Sequence, residues 1–169
     1  MIEQPSLGHR DAQRYVAIAT AITMDEFDVV ESLTGEVFAW LERKGAAPSG
    51  PAFTRIVTSD MSAKLDIEVG VAVDASLTGD DRFIVGAIPS GSYVTVFYSA
   101  ENQEEHIQAN VVLQAWAANE GLEWQMDRSG DVEKWGGRFE FFRADKSSDG
   151  RQVFELTYQV TDNVDSTSH

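Results

Sequence analysis

Ala39-Trp40-Leu41-Glu42-Arg43-Lys44-Gly45 returns further along the chain as Ala115-Trp116-Ala117-Ala118-Asn119-Glu120-Gly121, with both tryptophans and both glycines at one shared offset. A tryptophan near the end of a helical stretch, followed by a glycine that stops it, is a helix C-terminus written twice. An internal repeat of this size implies two similar half-domains. Each copy is followed by two β-rich stretches, so the repeated unit is a helix with strands around it and not one helix of a solenoid. A seam between two such halves is a natural place for a pocket.

Before the first copy, Tyr15 to Ala19 reads as a short strand. Asp25 or Thr23 is placed to cap a helix running to Lys44, with Val30, Leu33, Val37 and Leu41 at helical spacing and Gly45 as the stop. Pro48-Ser49-Gly50-Pro51 is a turn signal, and strands are predicted over 53–58 and 65–73. In the second of these, Ile67, Val69, Val71 and Val73 alternate onto one face, which should meet the helix. The second half repeats the order. Strands over 82–88 and 93–98 precede a helix from about Asn102 to Asn119, in which Ile107, Val111 and Ala115 form an apolar stripe with Val112 and Trp116 beside it. A loop over 126–137 then leads to strands over 138–143 and 153–160, the last with Phe154, Leu156, Tyr158 and Val160 on one face. The expected fold class is α+β, in two pseudo-symmetric halves that each set a helix against an antiparallel sheet. Residues 1–13 read as a flexible N-terminus, 14–160 as a single domain with halves of about 14–73 and 82–160, and 161–169 as a flexible tail.

Phe139-Glu140-Phe141-Phe142 places a carboxylate among aromatics. If Phe139 and Phe141 pack under the helix as Ile67 and Val69 do, Glu140 and Phe142 point to the opposite face, in company with Glu68 and Glu155. That face is either the solvated side of an antiparallel sheet, where glutamates are routine, or the floor of an aromatic-walled groove.

The bulk numbers exclude several function classes. With 169 residues, 43% hydrophobic and 10% aromatic, the chain can bury a sizeable core. Cysteine is absent, which removes disulfides, thiolate metal sites and cysteine nucleophiles and fits a reducing cytoplasm. No secretory start and no long apolar run is present, so neither export nor membrane insertion is expected. A formal charge of −15 repels phosphate backbones and argues against direct nucleic-acid binding. The same charge serves solubility, attraction of cations, or contact with a basic protein partner.

The order of strand, Trp-bearing helix ending in Gly, Leu65-Asp66-Ile67-Glu68-Val69-Gly70-Val71-Ala72-Val73, then Phe139-Glu140-Phe141-Phe142 and Glu155-Leu156-Thr157-Tyr158-Gln159-Val160, resembles the GyrI-like small-molecule-binding family over roughly residues 14 to 160. That family includes effector-binding domains of AraC-type and MerR-type multidrug-responsive transcription regulators. The resemblance implies two β-α-β-β halves in an SHS2-like pseudo-twofold duplication around a central ligand cleft. It makes Glu140 the ligand-contacting carboxylate, with Phe142 where the family often has an aromatic. The chain departs from the family pattern at Ala100-Glu101-Asn102, in place of Gly-Pro-Tyr, and at Ala72 and Gln159, in place of strand-end prolines.

A carboxylate among rings suits flat, lipophilic cations, each good ring contact contributing about 0.5 to 2 kcal/mol. The expected ligand-binding residues are Glu140, Phe142, Trp116, Tyr98 and Glu68, with Trp40 expected in the core. The first functional reading is a stand-alone sensor or sequestering protein for lipophilic, cationic or aromatic molecules. The alternative, which the resemblance implies, is a hydrolase that opens cyclopropane-containing genotoxic natural products, with Glu140 as acid or base and Tyr98 or Tyr158 bonding the substrate carbonyl. A second alternative, implied by the family name and the charge, is an acidic inhibitor of DNA gyrase. His9, His106 and His169 lack paired ligand spacing and His106 reads as helix surface, so no metal site is expected. No Gly-x-Ser-x-Gly elbow or phosphate loop occurs, and no cofactor is implied.

Overall fold

A computed structural model describes residues 2–23, 25–60, 64–146 and 150–161. The first half contains β1 (Ser6–Arg10), β2 (Gln13–Thr23), α1 (Val29–Arg43), β3 (Pro48–Asp60) and β4 (Lys64–Val73). The second contains β5 (Ile84–Ile88), β6 (Gly91–Ser99), α2 (Gln103–Asn119), β7 (Met126–Ser129), β8 (Val132–Trp135), β9 (Arg138–Lys146) and β10 (Gln152–Val160). No helix among the described residues is long and apolar enough to cross a membrane.

The ten strands form one antiparallel sheet in the order β1-β6-β10-β9-β3-β4-β2-β5, with the β7–β8 hairpin attached to the end of β3. The order is a palindrome of roles. In β2-α1-β3-β4 and in β6-α2-β9-β10 the last strand sits in the middle of its half, and the strand after the helix lies at the seam. β3 and β9 therefore pair across the pseudo-twofold, with Phe53 opposite Phe141, Thr54 opposite Glu140 and Arg55 opposite Phe139.

The repeated glycine explains why both helices end alike. Gly45 and Gly121 take φ of +69° and +73°, a conformation that costs glycine little. The amide of Ala46 then reaches the carbonyl of Leu41 at 3.0 Å, and that of Leu122 the carbonyl of Ala117 at 3.0 Å. Both are Schellman closures that satisfy otherwise orphaned carbonyls. At the other end, Asn102 caps α2 by accepting from the Glu105 amide at 3.0 Å. α1 begins later than its sequence suggests. Thr23 and Asp25 bond each other, 25–28 form turns, and Asp28 occupies the N-cap position without a side-chain bond.

α1 packs Val37, Trp40 and Leu41 on Val16, Ile18, Val71 and Val73, and Val30 on Ile67 and Val69. The predicted helix-facing row of β4 is thus in place. α2 packs Ala109, Leu113 and Ala117 on Val94, Val96, Leu156 and Tyr158. The predicted stripe of α2 is instead its outer face, with Ile107 48% and Val111 54% exposed and Ala115 exposed as well. A helix lying on bulky Phe, Tyr and Leu side chains fits best through small residues, and alanines supply that close approach.

The sheet curls. Asp11 and Ala12 carry the chain from β1, at one edge, to β2 beside the other, and Pro89 and Ser90 carry it from β5 to β6 in the opposite sense. So short a link spans at most about 10 Å, which draws the two edges together at the corner formed by Arg10, Gln13, Ile88 and Gly91. The face inside the curl is closed by Tyr15, Phe53, Ile88, Tyr93, Phe139 and Phe141. Two glycines leave room for its rings: a Cβ on Gly86 would lie 2.8 Å from Cζ of Tyr15, and one on Gly137 would lie 2.5 Å from Oη of Tyr93. Charged groups on this inner face are matched. Tyr15 donates to Glu68, Arg55 donates to Oη of Tyr15 at 2.7 Å, and Arg10 and Arg143 share Glu155, whose side chain is 6% exposed.

Residues 6–10, expected to lie outside the fold, are an edge strand on β6. Pro48 to Pro51 belong to β3, where a register shift between Pro48 and Ala52 absorbs the turn signal. The expected loop over 126–137 contains the β7–β8 hairpin, turned at Gly130 with φ of +62°. Most of the expected C-terminal tail, 162–169, lies outside the described residues.

Candidate functional site

Glu140 stands on β9 in register with Leu156 of β10 and Thr54 of β3. Directly opposed residues share a face, and Leu156 packs under α2, so Glu140 is on the helix side of the sheet. On the flanking strands the helix-side residues Val69, Val71, Leu156 and Tyr158 are buried. On the seam strands Glu140, Phe142 and Ile56 are only half-buried. Each helix covers its own half, and a groove remains between them with the seam as its floor. The Glu140 side chain is 27% exposed there.

Three polar side chains from three elements meet in this groove. Tyr98 of β6 donates to Glu140 at 2.5 Å, Nδ1 of His106 on α2 lies 3.0 Å from the same carboxylate oxygen, and that nitrogen lies 2.8 Å from Oη of Tyr98. The phenol proton is engaged with Glu140, so both neighbours of Nδ1 are acceptors. The tautomer protonated on Nδ1 satisfies both contacts. Burial, the Glu140 charge and the hydrogen bond to it hold the Tyr98 phenol far above its ordinary range, which keeps it a donor. Phe154 closes the wall, with ring centroids 4.6 Å from His106, 5.1 Å from Phe142 and 5.6 Å from Tyr98. Two residues back along β9, Arg138 lies over Trp135 at 4.5 Å and over Tyr158 at 4.8 Å. Among the described residues no group of three or more His, Asp or Glu side chains is placed to hold a metal ion.

No family model matches the sequence, and no curated protein does. Solved structures do match. The C-terminal domain of EcmrR superposes with a TM-score of 0.75 at 16% identity, over 94% of this chain and 97% of that one. This chain has the GyrI-like fold. A structure of SAV2435 bound to tetraphenylphosphonium matches at TM-score 0.65 and 9% identity over 99% of both chains. A hydrolase from Listeria innocua matches at 0.60 and 13% identity, over 94% of this chain and 92% of that one.

Within the GyrI-like fold the sequence-predicted residues divide. Glu140, Tyr98 and Phe142 come together around Phe154. Glu68 does not join them: it pairs with Arg55, one residue on from Thr54, and so faces the inside of the curl, where Tyr15 and Arg55 bond it. Glu155 is on that inner face too. The sequence pattern put Phe139 and Phe141 under a helix because they are the more apolar pair, but a curled sheet has a second apolar face for them. Trp116 is half-buried on α2 and packs on the same cluster as Phe142. It lies ten residues past His106, about 15 Å along the axis, away from the carboxylate. Trp40 is core, stacked on Phe83 with Nε1 3.2 Å from Asp80. Tyr158 is fully buried with its hydroxyl donated to Asn110, so it has no hydroxyl free for a ligand. Sequence reasoning missed His106 and Arg138. His106 shares a helical stripe with Ala109, Asn110 and Leu113, a signal that becomes readable once the buried face of α2 is known.

Proposed function

We propose that this chain binds lipophilic, cationic aromatic small molecules in the groove between its two helices, with Glu140 as the charge contact. One observation carries the reading. Glu140 is a half-buried carboxylate that no described Lys or Arg pairs with, and its neighbours Tyr98, His106, Phe142 and Phe154 are all rings. A carboxylate with hydrogen-bond partners but no Lys or Arg counter-charge in a partly desolvated site favours a cation, and ring faces strengthen that preference. The fold likeness to SAV2435 bound to tetraphenylphosphonium supports the same class of ligand. Titration of tryptophan fluorescence with tetraphenylphosphonium tests it. Glu140→Gln should weaken binding by about 1 to 3 kcal/mol, the scale of a lost charge-assisted contact; equal affinities would remove Glu140 from the site.

A second reading has its own support. The mutual bonding of Tyr98, Glu140 and His106 could move a proton, with Glu140 acting as acid or base, and one fold neighbour is a hydrolase. Tight binding alone does not accelerate a reaction. A cyclopropane-containing electrophile incubated with sub-stoichiometric protein separates the two by mass spectrometry. Multiple turnovers abolished by Glu140→Gln would put the hydrolase first.

A further inference from the structure

Glu140 and Arg138 stand two positions apart on one face of β9, about 7 Å between backbones. Opposite charges so placed have the reach to pair, yet they form no ion pair. Each is held by other partners. Tyr98 and His106 hold Glu140 toward α2, while the rings of Trp135 and Tyr158 hold the Arg138 guanidinium. Arg138 is also the exception among half-buried cations. Arg10, Arg55, Arg143 and Arg151 each face a glutamate, whereas no described carboxylate lies within ion-pair distance of Arg138. Beside the two rings the Arg138 guanidinium also bonds the Tyr158 hydroxyl, and a guanidinium has more N–H donors than that one contact uses, which leaves it donors for a carboxylate.

We infer that the groove takes aromatic ligands carrying both charges, with the cation at Glu140 and a carboxylate or similar anion at Arg138. The inference rests on the groove being a cation site and narrows its ligand class from simple cations to zwitterions. It also runs against the bulk field. A chain of formal charge −15 attracts a plain cation more than a zwitterion of the same shape, so a preference for the zwitterion can come only from a local positive group.

Rhodamine B, an aromatic cation with a free carboxylate, and its ethyl ester, which keeps only the cation, provide the comparison. Fluorescence anisotropy of both dyes, with tetraphenylphosphonium as a displacing probe, is measured on the full chain and on Arg138→Gln. The full chain should bind the free acid about tenfold or more tighter than the ester, as expected for a charge-assisted contact, and Arg138→Gln should bring that ratio close to one. Because the readout is a ratio within each protein, a misfolded fraction cancels. Should the variant not fold, the unmutated chain alone still tests the preference. Ester bound as tightly as acid, or a ratio that survives Arg138→Gln, overturns this inference and leaves the cation site standing. Failure of both dyes and of tetraphenylphosphonium to bind overturns the cation site and the inference with it.

Discussion

Raising the pH through 10 should unfold this protein in one step, because it buries all four of its tyrosines. Tyr15, Tyr93, Tyr98 and Tyr158 are each at most 1% exposed. Burial is the largest cause that holds each phenol above its ordinary value of 10, and Tyr93 reaches about 12. The sign follows from proton counting. Below 10 both folded and unfolded chains keep the phenol protons, so stability is full. Above 10 the unfolded chain releases them while the folded one does not, and stability falls with rising pH. At about pH 11 Tyr15, Tyr93 and Tyr98 each withdraw about 1.4 kcal/mol, together about 4 kcal/mol, a large part of a domain's stability, and Tyr158 acts in the same direction. Tyrosinate absorbance and far-ultraviolet circular dichroism followed along one pH titration should change together, in a single steep transition. Gradual ionisation centred near 10, with the dichroism intact, would refute the claim that all four phenols are sealed in the fold.

Two further outcomes test the packing. Gly137→Ala sets a Cβ 2.5 Å from Oη and 2.7 Å from Cε2 of the immobile Tyr93 ring; it should cost about 1 to 3 kcal/mol in urea unfolding, and an unchanged midpoint would mean that the ring is not where it is placed. On α2, Leu113→Ala should cost about 2 to 5 kcal/mol while Val111→Lys stays within about 0.5 kcal/mol, and the opposite order would return the buried face to the Ile107 stripe.

The repeat, the two helices, their glycine stops and the long strands were legible because each rests on local chemistry: helical spacing, a left-handed cap, alternation of β-branched residues. What sequence could not supply was which face meets what. Ile107, Val111 and Ala115 outweigh Ala109, Leu113 and Ala117 in hydrophobicity, yet the smaller set is inside, since closeness of approach and not apolarity selects it. Phe139 and Phe141 were assigned to a helix because a flat sheet has one core, whereas a curled one has two. The carboxylate at 140 was found through its aromatic neighbours in sequence. His106 and Arg138 belong to the groove through pairings with residues far away in the chain, which no local pattern records. β1 escaped notice for a similar reason: Ser6 to Arg10 is a polar, mostly exposed segment held by its ladder to β6.

That exchange of edges sets terms for how the protein is made. A ribosome delivers β1 first, yet Leu7 must wait for Val94 before it has a ladder partner, and Val16 in β2, paired with Val71 on one side, must wait for Val85 to cover the other. Until β5 and β6 emerge, the nascent chain carries a stray strand and a bare sheet edge, the condition in which growing chains pair wrongly with one another. The polarity of β1 suits the wait, since an apolar strand left exposed for so long would invite aggregation. Translation that stops short of Gly91 therefore yields no smaller working half, only a chain with edges left open.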